Sequence, residues 1–302
     1  MRSLIIGATG LIGSSIIAAC EEHCRTHLGT WYRSPHPDHA PLDVRDGEAV
    51  DDLIAELEPE AVFFAAGVAG AGFAEDNPDE SREVVVGGAA NVARAVRRLG
   101  GRLVLFSPAD VFGECKGPKK EDDPVAPVSV FGTIAADAEA VVRAELPGRH
   151  LVIRSTGVYG PAPRDGGFVE AAAAKLAAGD PVRAATDRSV QPTYAGDLVA
   201  AAFDLLARGY DGTFHVVGPE RVTEFAFARL VAFVNRFDAD LVAPAAARDL
   251  DDGPRPLSPW LDRSKLRSVL GPAAVRFPGD GLRALRDRVA AEVEPSVRAR
   301  AA

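Results

Sequence analysis

The chain has 302 residues, 47% of them hydrophobic, and a formal net charge of −9 at pH 7. That is enough for one large α/β domain, or for one domain with a smaller appendage. The acidic balance and the lack of a basic run argue against nucleic acid as a partner, and no apolar stretch reaches membrane-spanning length.

Residues 4–6 read as a buried strand stopped by glycine. Gly7, Gly10 and Gly13 follow, with Thr9 between them. From Leu11 and Ile12 onward the apolar spacing becomes helical. A glycine turn between strand and helix is how a dinucleotide pyrophosphate is held, through close backbone approach and helix N-terminal amides. The spacing here is GxxGxxG instead of GxGxxG, and a purely steric glycine turn is the other reading. Cys20 and Cys24 stand one helical turn apart beside His23. No second ligand cluster follows at zinc spacing, so packing is expected and no metal. With Cys115 they make no disulfide framework. No cleavable leader pattern opens the chain, and a reducing cytoplasm is the expected setting.

A second strand over 26–32 ends at Arg33, with no acidic residue at the strand end. An arginine there accommodates the 2′-phosphate of NADP, whereas an acid would bind the 2′-hydroxyl of NAD. NADP is therefore the expected cofactor and NAD the alternative; an ordinary surface arginine is the remaining reading. Asp43 and Val44 come next. Then follow a helix over 48–57 and a buried strand over 61–67 that ends in Ala65, Ala66 and Gly67. A small-residue loop runs to Pro78, with a helix over 80–99 and a strand over 103–107. This alternation predicts right-handed βαβ units and a parallel sheet covered on both faces. The fold class is α/β, a Rossmann-type doubly wound parallel sheet.

The second half predicts helices over 130–146, 168–178 and 197–207, and a loop or short hairpin over 181–192. A strand covers 212–218, in which His215 reads as buried and satisfied. A helix begins near Thr223 and runs to 235. Residues 240–260 read as an exposed arm, 283–293 as the last helix, and 294–302 as a frayed tail. The division is a nucleotide-binding part over 1–160 and a smaller substrate lobe over 161–302, interleaved in one compact unit.

Several segments carry a resemblance. GATGLIG at 7–13, LDVRD at 42–46, FFAAG at 63–67 and FSPADVFGE at 106–114 resemble the extended short-chain dehydrogenase/reductase superfamily. IRSTGVYG at 153–160, QPTYAGDL at 191–198, and Arg255-Pro256 with LDRSKL at 261–266 resemble its dTDP-4-dehydrorhamnose reductase-like branch. The resemblance implies cofactor contacts at Gly7, Thr9, Gly10, Leu11, Ile12, Gly13, Arg33, Asp43, Val44, Ala65, Ala66 and Gly67. It implies substrate contacts at Ser107, Tyr159, Gln191 and Tyr194, and a nucleotide-sugar-like small molecule as ligand.

The pattern breaks where that family does its chemistry. Its members use a Ser or Thr and a Tyr-x-x-x-Lys for proton transfer at a carbonyl. Aligned by its neighbours, this chain has Pro108, Phe131 and Ala135 at those positions. The helix over 130–146 contains no Tyr and no Lys. Asp110, near Pro108, is the remaining candidate acid or base, with a strand-end cap as its alternative role. A binding or regulatory role follows, as in the regulatory β subunit of methionine adenosyltransferase, with a protein partner or a homodimer as possible assemblies. The alternatives are an enzyme with rewired chemistry at Asp110 and an ordinary NADPH-dependent sugar-nucleotide reductase.

Overall fold

The computed structural model describes residues 1–68, 70–161, 167–250 and 253–300. Its strands are β1 (Ser3–Ile6), β2 (His27–Trp31), β3 (His39–Pro41), β4 (Ala61–Phe64), β5 (Arg102–Pro108), β6 (His150–Ser155), β7 (Val158–Tyr159), β8 (Val182–Ala185), β9 (Ser189–Val190), β10 (Thr193–Tyr194), β11 (Gly212–His215), β12 (Val222–Thr223) and β13 (Val242–Ala245). The helices are α1 (Leu11–Glu22), α2 (Gly47–Leu57), α3 (Ala71–Asp76), α4 (Pro78–Arg82), α5 (Gly88–Leu99), α6 (Val130–Glu145), α7 (Phe168–Ala178), α8 (Ala195–Ala207), α9 (Glu224–Asn235), α10 (Ser264–Leu270) and α11 (Pro278–Arg300).

Seven strands form one sheet in the order β11-β6-β5-β4-β1-β2-β3. Each neighbouring pair is parallel. The order turns back between β1 and β4, and in such sheets a crevice opens there at the carboxyl ends. The central strands are apolar on both faces because both are covered. Leu4, Ile5, Val62 and Phe63 have no exposed surface, as expected of strands in a doubly wound sheet. One core packs Ile5 and Phe63 with Ile16 of α1 and Leu205 of α8. The other packs Leu4 and Phe64 with Ile54 of α2, Val92 of α5 and Val142 of α6.

Local chemistry starts the helices where it should. The Asp46 carboxylate accepts from the amides of Glu48 and Ala49 to cap α2. The Ser129 hydroxyl accepts from Gly132 to cap α6. Thr223 caps α9 through the Ala226 amide, as its position predicts.

Five expectations are corrected. The small-residue loop before Pro78 contains α3. The helix expected over 80–99 begins as α4, passes through a π-turn at Glu83–Gly87, and continues as α5. Residues 181–192 form no hairpin, because β8 pairs parallel with β13 and β9 antiparallel with β12. The arm over 240–260 therefore contains a strand. Val242 and Ala245 are buried there, while Pro244 and the surrounding alanines hide the alternation in sequence. At the other end of the molecule α11 continues to Arg300; residues 301–302 lie outside the described residues. Among the described residues, no helix is long and apolar enough to cross a membrane.

Candidate functional site

The glycine turn forms one end of the crevice. A Cβ on Gly13 would lie 2.1 Å from the Gly7 carbonyl oxygen, and a Cβ on Gly7 would lie 2.7 Å from the Ala66 nitrogen. Gly7 also has φ +84°, which side chains disfavour. These two glycines are required by backbone packing. A Cβ on Gly10 would meet only the Gly7 oxygen, at 3.6 Å, and otherwise open space. Gly10 caps α1 with no side-chain hydrogen bond, so the helix start offers bare amides to a 350 Å³ cavity lined by Gly7, Thr9 and Gly10. Arg33, Asp43 and Val44 line its other side. Of the remaining residues expected at the turn, Ile12 lines a second, deeper cavity. Leu11 and Gly13 line neither; Gly13 is buried under the turn.

Arg33 pairs with Glu80 at this end. The Asp43 carboxylate is gripped by Arg45, whose Nε lies 2.9 and 3.1 Å from its two oxygens. Hydrogen bonding from the Arg45 side chain holds the Asp43 carboxyl below its usual range.

Ala65, Ala66 and Gly67 line both cavities, so the two adjoin there. The deeper one measures 760 Å³. Its wall brings together Ser107 and Pro108 from β5, Asp110 just beyond, and Phe131 and Ala135 from α6. Phe131 and Ala135 stand one turn apart on the same helix face. Among the described residues of this wall, the ionisable side chains are Asp110 and Arg255. Asp110 is 2% exposed. Its Oδ1 lies 3.7 Å from Arg255 Nε and has no hydrogen-bond partner. The buried Thr156 hydroxyl, also on the wall, has none either. In the sequence Arg255 belongs only to a tail motif, and nothing local there shows that its segment returns to Asp110.

A charged layer lies behind the wall. The Ser107 hydroxyl donates to Glu139 Oε1 at 2.6 Å. Arg154 donates to both Glu139 oxygens, at 2.9 and 2.7 Å, and Arg143 adds a further bond. Burial pushes the Glu139 carboxyl upward, but the Arg154 bonds and charge outweigh it and hold it below the usual carboxylate range. His215 is wholly buried. Its backbone amide donates to Glu121 Oε1 at 3.1 Å, and its Nδ1 lies 3.1 Å from the Asp262 carbonyl. Burial first, and then the Arg154 charge, push the imidazole down to about 4. Burial pushes the Glu121 carboxyl up.

Three residues expected to touch substrate are placed elsewhere. The Tyr159 hydroxyl donates to the Pro278 carbonyl at 3.1 Å, and its ring packs beside Tyr194 and Phe227. Tyr194 is 7% exposed in the same cluster. Burial raises both phenols. Gln191 is used at both ends, donating to the Leu261 carbonyl at 3.1 Å and accepting from its amide at 2.8 Å. None of the three lines either cavity. Tyr159 and Gln191 thereby bond to C-terminal segments, at Pro278 and Leu261.

The open parallel sheet, the glycine turn at its switch point and the crevice beyond define an α/β protein of the extended short-chain dehydrogenase/reductase type. The chain belongs to the RmlD substrate binding domain family, which it matches over residues 1–279. A probable low-salt glycan biosynthesis reductase, Agl14 of Haloferax volcanii, is 30% identical over 90% of this chain and 93% of its own. Methionine adenosyltransferase 2 subunit beta of Rattus norvegicus is 26% identical over 89% of this chain and 82% of its own. Among solved structures, a dTDP-4-dehydrorhamnose reductase of Clostridium acetobutylicum superposes with a TM-score of 0.85 at 25% identity, covering 96% of this chain and 99% of that one.

Proposed function

We propose that this protein binds NADP(H) and a nucleotide-sugar-like ligand without reducing that ligand, and that its role is binding or regulation. The observation that carries the reading is the wall of the deeper cavity. Pro108, Phe131 and Ala135 stand together there, and no described residue of the wall is a Tyr, Lys or His. Proline, phenylalanine and alanine have no side-chain proton to give.

The residues fit a dinucleotide. Gly10 leaves space for a pyrophosphate against the α1 amides, and Arg33 supplies charge for a 2′-phosphate. Asp43, already paired with Arg45, would shape the adenosine side of the crevice. Ala65, Ala66 and Gly67 would let the cofactor pass into the deeper cavity. A bound nicotinamide exchanges hydride with a carbon centre. The matching proton would need a donor that this wall does not present at the family's positions.

Asp110 supports a second reading, an enzyme with rewired acid–base chemistry. Its buried Oδ1 lacks a hydrogen-bond partner, and the residue lines the cavity beside Arg255. Calorimetric titration with NADP⁺, NADPH, NAD⁺ and NADH, followed by an NADPH-oxidation assay on a dTDP-4-dehydro sugar, separates the readings. Binding of NADP(H) without oxidation is expected. Steady NADPH consumption would sink the non-redox reading, and its loss in Asp110→Asn would establish the second.

A further inference from the structure

We infer that Arg255 reads a carboxylate carried on the sugar of the ligand, so that the deeper cavity takes a nucleotide-linked uronic acid in preference to the corresponding neutral sugar. This rests on the nucleotide-sugar reading above and names the class of sugar that the site would hold.

Among the described residues of the cavity wall, Arg255 is the one cationic side chain. Its side chain is 31% exposed, and its one charged partner is Asp110, met at Nε at 3.7 Å, beyond hydrogen-bond range. A guanidinium carries five N–H donors, and among the described residues none of those of Arg255 is spent on a hydrogen bond. Asp110 comes closest at Nε, so the donors of the two Nη nitrogens are left over. That pair is the flat fork that meets a carboxylate with two parallel bonds. The backbone under the fork is held on both sides. Pro254 and Pro256 flank Arg255 and keep it extended. Before it, a Cβ on Gly253 would lie 2.5 Å from the Gly72 nitrogen, so this stretch lies directly on α3. After it, the Glu114 carboxylate accepts from the amides of Leu257 at 2.6 Å and Ser258 at 3.1 Å. The fork is thus carried on a fixed support, which lowers the ordering cost of binding.

Unspent donors on a largely apolar wall call for acceptor oxygens from the ligand. The side chains of Pro108, Phe131, Ile134 and Ala135 on the same wall supply none. Charge then separates the kinds of acceptor. The ionisable pair of this wall is one cation and one anion. A diphosphate would bring several negative charges beside Asp110 with a single cation to meet them. A carboxylate brings one, spread over two coplanar oxygens that match the Nη pair. Asp110 remains on the Nε side, where its charge orients the guanidinium. A hydroxymethyl group at the same ring carbon would also accept from the fork, but as a neutral and therefore weaker partner.

The test is titration calorimetry of the full chain with UDP-glucuronic acid and UDP-glucose. The two probes differ only at C6, which is a carboxylate in the first and a hydroxymethyl in the second. The carboxylate probe is expected to bind about tenfold tighter. Arg255→Ala should weaken that probe alone and bring the two within about twofold of each other. Arg255→Lys keeps the charge and loses the fork, and should leave a gap of about threefold. Thermal melts accompany both variants, and the lysine variant carries the test if the alanine variant does not fold. Equal affinities in the unaltered chain, or tighter binding of UDP-glucose, would overturn the inference and leave the nucleotide-sugar reading standing. Equal weakening of both probes in either Arg255 variant would overturn it as well, because it would place Arg255 on the diphosphate that the probes share. Binding of neither probe overturns this inference and the nucleotide-sugar reading together.

Discussion

Around the glycine turn the crevice is walled by backbone and small residues, and its charged groups stand near the surface. At the end of β5 the wall is built from side chains, apolar at Pro108, Phe131 and Ala135, with Asp110 and Arg255 beside them and a charged layer behind. The first kind of wall is specified by close packing: Gly7 and Gly13 leave no room for a Cβ. The second is specified by residue identity, and three of its positions, Pro108, Phe131 and Ala135, carry no side-chain proton to give while the sheet stays intact. The same sheet can therefore carry different side chains at that wall, which is why function must be argued from the site.

The comparison can be broken most forcefully behind the β5 wall. Glu139→Ala would leave Arg154 buried without its counter-charge and Ser107 without its acceptor. A loss of about 3–5 kcal/mol is expected in urea unfolding; a loss under 1 kcal/mol would show that the charged layer does not hold the wall. Acid should find the same layer. Burial pushes the His215 imidazole down to about 4 in the fold, against about 6.5 for a free imidazole. The unfolded chain therefore takes up the proton first. This contribution to stability is complete above pH 6.5 and drains away as the pH falls toward 4, by about 3 kcal/mol in all. Glu121, raised by burial, holds its proton longer in the fold and works in the opposite direction. Comparing denaturant midpoints of the parent and His215→Gln across that window isolates the histidine, whose removal should flatten the slope.

The glycine end should respond through sterics and then through charge. Gly13→Ala, with no space at 2.1 Å from the Gly7 oxygen, should cost about 1–3 kcal/mol and abolish nucleotide binding. Gly10→Ala should fold normally, and a melt distinguishes the two. Arg33→Ala should weaken NADP⁺ by about 10–100-fold and leave NAD⁺ nearly unchanged, since bonds to charged groups contribute about 1.5–3 kcal/mol. The smallest effect belongs to Glu80→Gln. It releases Arg33 from a surface pair of about 0–1 kcal/mol, so NADP⁺ should bind only a few-fold tighter in calorimetry.

The parallel sheet was legible because its strands are short apolar runs between helical stretches. The empty positions Pro108, Phe131 and Ala135 were legible by alignment with flanking motifs, and the structure gathers them on one wall. What escaped depended on long-range contact. Tyr159, Gln191 and Tyr194 match motif positions, but sequence does not show that Pro278 and Leu261 return to take the polar groups of Tyr159 and Gln191, nor that Tyr194 packs beside Tyr159. Arg255 was hidden for the same reason. The β8–β13 pairing joins segments about 60 residues apart, and neither segment alternates strongly enough to announce a strand. The direction of the Ser107 hydrogen bond needed Glu139, Arg154 and Arg143 in one place.

The π-turn at Glu83–Gly87 has a consequence of phase. It lies between two regular helices, with Val84 lining the cavity by the glycine turn and Val85 lining the deeper one. One residue corresponds to roughly 100° of rotation about a helix axis. Deleting a single valine would let the helix close into an unbroken α-spiral, and everything before the deletion would rotate by about that angle. Glu80 would swing away from Arg33, and Ser81 from the cavity wall. The alignment of the two chambers along one helix thus depends on a single added residue, a phase offset between two otherwise regular screws.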